Sequence, residues 1–162
     1  MKTLLLMRHA KSSWKDATLR DFDRPLNSRG RHAAPLMAAH MRRKKLRPDL
    51  IISSPAVRAR QTAALVVEHA GLAAELRYDE RIYEADAARL LEVISQADER
   101  AGELMLVGHN PGMEDLIRVL TGADELMPTA ALARVELDIE RWAKVRPQAG
   151  RLSWVARPKE IE

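Results

Sequence analysis

The apolar run Leu4-Leu5-Leu6-Met7 and the abrupt change after it, Arg8-His9-Ala10-Lys11-Ser12-Ser13-Trp14, constrain this chain more than any other stretch. Consecutive apolar residues without alternation read as a strand buried on both faces, the pattern of a parallel sheet covered by helices. In such sheets ligands bind just outside the carboxyl ends of the strands. An arginine beside an imidazole at a strand exit fits a phosphoryl group, because a guanidinium fork matches two phosphate oxygens at once. The plainer reading is an ordinary buried strand capped by surface charges.

Composition narrows the choice of partner. With 162 residues, the chain forms one domain, 1–162, long enough to bury a core without staples. It has no cysteine, so disulfides, thiolate nucleophiles and cysteine metal sites are excluded. The net charge of +4 is compatible with an anionic substrate. Nucleic acid is not expected as a partner: only 4% of residues are aromatic, and the basic residues are interspersed with carboxylates. The opening apolar run is too short for the core of a signal peptide, and no later segment approaches a membrane span. A soluble cytoplasmic protein without a membrane partner is the expectation.

Along the chain, a mixed-charge loop from Ser12 to Leu26 leads to Asn27, an N-cap for a helix over Ser28 to Lys45. Ala34, Met37, Ala38 and Met41 supply its buried stripe, and Pro35 should bend it or loosen one turn. Leu50 to Ser53 reads as a second strand. Ser54-Pro55 then opens a helix, hydroxyl cap before first-turn proline, which runs to His69 or Ala70 and stops at Gly71. Arg58 falls near its start, where free N–H groups already favour an anion. An edge strand over Ala74 to Tyr78, a loop holding Arg81 to Glu84 and a helix over Asp86 to Ala97 follow. Glu103 to Val107 is the clearest strand after the first, and it ends in Gly108-His109-Asn110-Pro111-Gly112. Asn110-Pro111 repeats the cap-then-proline pattern for a helix to Thr121. The tail reads as a hairpin of Ala131 to Ile139 with Arg151 to Ala156.

This order predicts a single three-layer α/β/α domain with a mostly parallel central sheet, one antiparallel member and a C-terminal β hairpin. Three strand–loop–helix units deliver Arg8 with His9, Arg58, and His109 to one sheet edge. Phosphoryl transfer has a loose transition state with charge spread over three oxygens, so fixed cations and positioning carry most of the catalysis. An imidazole nucleophile must be unprotonated, and flanking arginines favour that form. His32, His40 and His69 lie within predicted helices and read as surface or packing residues. Arg60 reads as the structural partner of a nearby carboxylate.

Four segments carry a family resemblance. Arg8-His9-Ala10 resembles the Arg-His-Gly signature of the histidine phosphatase superfamily, with its phosphoglycerate mutase-like fold. The longer run to Trp14 is closer to the small SixA-type branch, the phosphohistidine phosphatases. Asp23-Arg24-Pro25-Leu26-Asn27-Ser28-Arg29-Gly30 resembles the second family segment. Ser53 to Ala63 resembles the arginine-bearing helix, and Val107 to Gly112 the second-histidine turn. The resemblance implies a phosphatase without cofactor or metal, in which His9 is the nucleophile and carries a transient phosphohistidine. Arg8, Arg58 and His109 would hold the phosphoryl oxygens. Glu84 stands where many members keep a proton donor, although a carboxylate at a helix start is an equal reading.

Departures from the wider family bear on substrate. Ala10 replaces a common glycine, which suits the SixA branch. Lys15 stands where many phosphomonoester-cleaving members carry asparagine. The segments between motifs are too short for an inserted cap, so the site should be open, as a phosphate displayed on a protein surface requires. The expectation is a signalling enzyme whose partner is a phosphohistidine-bearing protein. The alternatives are a broad phosphomonoesterase acting on small molecules and a non-catalytic phosphate-recognition module.

Overall fold

Along β1 (Lys2–Arg8) every residue from Leu4 to Met7 is buried, but they do not share a core. Leu4 and Leu6 join one apolar cluster and Leu5 and Met7 another, because successive strand side chains point to opposite faces. The computed structural model describes residues 1–162. The first cluster is completed by α3 (Ala87–Ser95) and α4 (Gly112–Thr121), the second by α1 (Ser28–Arg43) and α2 (Val57–Ala70). Each fully buried leucine contributes about 1.5–3 kcal/mol relative to exposure. Two such cores, one on each side of the sheet, make the three expected layers.

The sheet has six strands in the order β3-β2-β4-β1-β5-β6, with β2 at Leu50–Ser53, β3 at Glu75–Tyr78 and β4 at Glu103–Gly108. β5 (Leu132–Leu137) and β6 (Gly150–Ala156) form the C-terminal hairpin, and β5 is antiparallel to β1 and to β6. The other pairings, β1 with β4, β2 with β4 and β2 with β3, are parallel. The outward steps from β1 to β2 and β2 to β3 carry α1 and α2 on one face. The return step to β4 carries α3 on the other. Reversing direction while changing face keeps one crossover hand. A short α5 (Pro158–Ile161) ends the chain.

Boundaries differ from expectation where local chemistry decides them. Asn27 caps α1 as expected, its side chain accepting from Gly30 N, and the helix runs through Pro35. It ends at Arg43 rather than Lys45, because Lys45 turns into the left-handed region at φ 57°. α2 starts at Val57, two residues later than the Ser-Pro pattern predicts; Ser54 Oγ accepts from Ala56 N instead of capping the helix proper. α4 likewise starts at Gly112, after Asn110-Pro111 rather than within it. α3 is trimmed to Ala87–Ser95, with Asp86 as its cap. Gly71, at φ 63°, ends α2 as expected. Arg60 has no carboxylate partner; its guanidinium lies 5.0 Å from the Tyr78 ring. His32 and His69 are exposed, and His40 packs edge-on to Trp154.

The loop after β1 is tied back to it. Ser12 bridges Leu26, Asn27 N donates to Lys11 O, and Ser13 N donates to Pro25 O. This brings the first turn of α1 against the Lys11 backbone, and only a hydrogen fits at Gly30, where a Cβ would run into the Lys11 carbonyl. Gly30→Ala should therefore cost about 1–3 kcal/mol, the scale of overpacking a tight contact. Urea denaturation should register that loss. Gly102→Ala, whose added Cβ would lie 3.7 Å from Asp49 Oδ2, should change the midpoint little. Equal midpoints for the two variants would contradict the packing described.

Candidate active site

Strand register assembles the site. β1 and β4 are aligned so that Arg8 pairs with Gly108, and the next residue of each strand is a histidine. His9 and His109 therefore leave adjacent strands together, their ring centroids 5.1 Å apart. β2 flanks β4 on the other side, pairing Ser53 with Val107, and Ser54 N donates to Val107 O over 2.9 Å. This sets the Ser54 hydroxyl 2.7 Å from His109 Nε2. α2 begins three residues later, so Arg58 stands in its first turn at the same edge.

His9 is held by one bond that fixes its tautomer. Nδ1 lies 2.7 Å from Ala10 O, and a carbonyl oxygen only accepts, so Nδ1 carries the proton and Nε2 is left as a free lone pair. The backbone around it is braced from three sides. His9 N donates to Gly108 O, Ala130 N donates to both Arg8 O and His9 O, and Ala10 N donates to Thr62 Oγ1. Burial pushes the His9 pKa down to about 4, and the charges of Arg58, Arg8 and Arg24 add to the shift against the pull of the Ala10 carbonyl. His109 falls to about 3, through burial first and then through His9 and Arg58. Both imidazoles are neutral near pH 7.

Arg58 is 5% exposed and pinned by a residue the sequence reading did not single out, Asp21. Its two terminal nitrogens donate to Asp21 O at 2.6 Å and Asp21 Oδ2 at 2.9 Å, and Nη2 also lies 3.5 Å from His109 Nδ1. Asp21 further accepts from Tyr83 Oη at 2.7 Å and from the Arg24 guanidinium. These bonds, the one from Tyr83 foremost, hold its carboxyl well below the usual carboxylate range. Burial and the facing Asp21 raise the Tyr83 phenol to about 12. Tyr83 packs edge-on to His109, 5.5 Å between centroids. Asp21 lies in a short 3₁₀ turn, Asp21–Asp23, inside what the sequence offered only as a loop.

Arg8 is fixed on the opposite side. Its Nη1 donates to Met127 O at 3.1 Å, while Asn110 Nδ2 donates to the same carbonyl and to Glu114 Oε2. Burial lowers the Arg8 pKa, with Glu114 pulling it back up. The Nε atoms of Arg8 and Arg58 are buried without a partner. Each unmet donor costs about 1–3 kcal/mol, so the fold gives up stability to keep two cations here.

Between these groups lies a cleft of about 680 Å³ whose wall includes Arg8, His9, Arg58, His109 and Glu84. All five predicted site residues thus share one cavity. Glu84 is exposed, at φ 53°, and makes no hydrogen bond; Asp86, not Glu84, caps the following helix. Lys11 lines the cleft and Lys15 does not. Trp14 is 76% exposed at the mouth, its ring 3.5 Å from the guanidinium carbon of buried Arg24. No group of three or more His, Asp or Glu side chains is gathered closely enough to hold a metal ion. No helix is long and apolar enough to cross a membrane. Asp21, Tyr83 and Ser54 are the site residues that sequence reasoning missed. Only Ser54, inside the arginine-helix segment, carried any signal.

Known proteins resemble this chain throughout its length. An uncharacterized protein of Mycobacterium tuberculosis is 36% identical over 152 residues, which are 87% of this chain and 92% of the relative. The crystal structure of SixA from Agrobacterium tumefaciens superposes with a TM-score of 0.83 at 32% identity, covering 97% of this chain and 98% of that one. A protein histidine phosphatase SixA solved with tungstate shares the fold at a TM-score of 0.85 and 22% identity, with 99% of both chains covered. The family profile of the histidine phosphatase superfamily (branch 1) matches residues 4–103. With that profile and these relatives, the chain belongs to the histidine phosphatase superfamily and is of its SixA type.

Proposed function

We propose that this protein hydrolyses phosphohistidine on a protein partner through a phosphohistidine intermediate on His9. The observation that carries the reading is the Nδ1–H bond from His9 to Ala10 O. It holds the ring with Nε2 unprotonated in a cleft bounded by two arginines. In the first step the Nε2 lone pair attacks phosphorus, and the bond from phosphorus to the substrate imidazole breaks. That imidazole leaves with the electron pair and takes a proton from solvent. In the second step water attacks the phosphorus on His9, and orthophosphate departs as Nε2 regains its lone pair. Arg8 and Arg58 supply fixed positive charge for the equatorial oxygens, so the reaction needs no metal to neutralise them. Ser54 is a positioning residue, holding Nε2 of His109 so that Nδ1 faces Arg58.

The openness of the site supports a protein-borne substrate. The cleft is open to solvent, and an exposed tryptophan stands at its edge. One observation favours the broad phosphomonoesterase reading instead: Glu84 lies on the cleft wall with an unbonded carboxylate in a backbone conformation that favours glycine. The same position suits a general acid for an alkoxide leaving group.

His9→Ala should abolish turnover without unfolding the protein, since the ring's one hydrogen bond is to the adjacent Ala10 O and the backbone bonds that brace the strand exit are kept. Wild type quenched during turnover should carry an acid-labile, base-stable phosphate at His9. Activity retained in His9→Ala would end the mechanism.

Imidazole ¹⁵N shifts of the substrate-free protein should show His9 as the Nδ1–H tautomer, titrating near pH 4 rather than 6.5. The sign for stability follows from a folded pKa below the unfolded one. Burying the neutral ring is fully favourable above pH 6.5, and that contribution is lost as pH falls through about 4. The urea midpoint should therefore drop across that window, and less so in His9→Gln. A His9 that titrates near 6.5 would show it is not held neutral.

Glu84→Gln separates the two substrate classes. An alkyl phosphate expels a basic alkoxide and gains about 10²–10⁴-fold from a general acid. Phosphohistidine expels an imidazole and should lose little in kcat/KM. A wild type that prefers a sugar phosphate and depends on Glu84 would decide for the phosphomonoesterase.

A further inference from the structure

A second groove, about 1070 Å³, adjoins the catalytic cleft and shares Lys11 and Thr129 with it. It runs between the exposed face of α1 and the C-terminal α5, over a floor that includes Ala33 and Leu36. Its walls are basic. Lys11, Arg29 and Lys159 are exposed and have no carboxylate within ion-pair distance, whereas Arg157 is paired with Glu125 and Glu160. Glu162 is the one carboxylate side chain on these walls that lacks a cationic partner. The opposite lip of the cleft, where Ala85 packs on Gly112 of α4, has the other sign through Glu84 and Asp86, with Asp115 beside them paired to Arg118. The mouth is therefore polarised, with cations on the side that continues into the groove and carboxylates on the side that does not.

We propose that this groove docks an acidic segment of the phosphohistidine-bearing protein, next to the phosphorylated residue. Two features support that occupant. The groove is continuous with the cleft, so a chain whose phosphoryl group meets His9 is led along α1. Its unpaired side-chain charges are three cations against the single carboxylate of Glu162, while the far lip is negative, so an acidic flank is attracted on one side and repelled on the other. A small phosphate ester fills the cleft alone and has no use for the groove. The inference rests on the functional reading above and adds to it a rule for choosing among phosphoproteins.

The test uses synthetic phosphohistidine peptides whose flank of four residues is acidic, neutral or basic, made with the flank on either side. Phosphoramidate serves as the substrate too small to reach the groove. Wild type should favour an acidic-flank peptide in kcat/KM, and the preference should shrink as salt rises. The double variant Arg29→Glu, Lys159→Glu should lose about tenfold on that peptide, as two exposed attractions become repulsions. Its phosphoramidate turnover should stay at the wild-type level, and it should now favour the basic flank. Equal handling of all flanks by wild type and variant would overturn the docking groove while leaving the enzymatic reading intact. Wild type that turns over neither the peptides nor phosphoramidate would overturn both.

Discussion

The site depends on one alignment, the parallel pairing that sets Arg8 against Gly108. A parallel ladder fixes register along its whole length, and a slip of one residue would send every side chain of a strand to the other face. In β1 that would exchange the residues of the two apolar clusters, so the cores themselves enforce the alignment. The two histidines are placed by the same energy that folds the protein. No loop has to find a conformation for them to meet.

Around that pair the arginines are held by backbone carbonyls as much as by charge. Arg8 bonds to Met127 O and Arg58 to Asp21 O, acceptors that neither titrate nor swing away. Guanidinium groups so anchored cannot collapse on the histidines or follow an anion outward. A preorganised charge of this kind loses little in reorganisation when a transition state forms. The buried, unpartnered Nε atoms are the visible cost of placing them here.

Much of this was legible from residues close together in sequence. The strand exit at Arg8-His9, the stripe of α1, the edge strand β3 and the hairpin are all encoded by short patterns. The mostly parallel, helix-covered sheet and the gathering of the site residues at one of its edges followed from the strand–loop–helix succession, while the order of the strands did not. What escaped was long-range pairing without periodicity. Asp21 meets Arg58 and Tyr83 across 37 and 62 residues, from a loop whose mixed charges gave no hint of which would turn inward. Ser54 was masked by a stronger local pattern: Ser-Pro resembles a helix cap, and here its hydroxyl serves a histidine from another strand. Arg60 misled for the opposite reason, since a charged side chain satisfied on an aromatic face leaves no partner to be read from spacing.

Asp21 has a further bearing on turnover. A guanidinium already shared with a carboxylate offers an incoming anion less than a free one would, and it discounts reactant and orthophosphate alike. Interactions that strengthen both equally hold a phosphatase in its end state without lowering the barrier. By keeping Arg58 partly occupied, Asp21 trims that uniform grip and leaves the clamp to tighten where charge develops. A half-exposed carboxylate that looks like a competitor for the substrate would thus lighten the grip on product as much as on reactant.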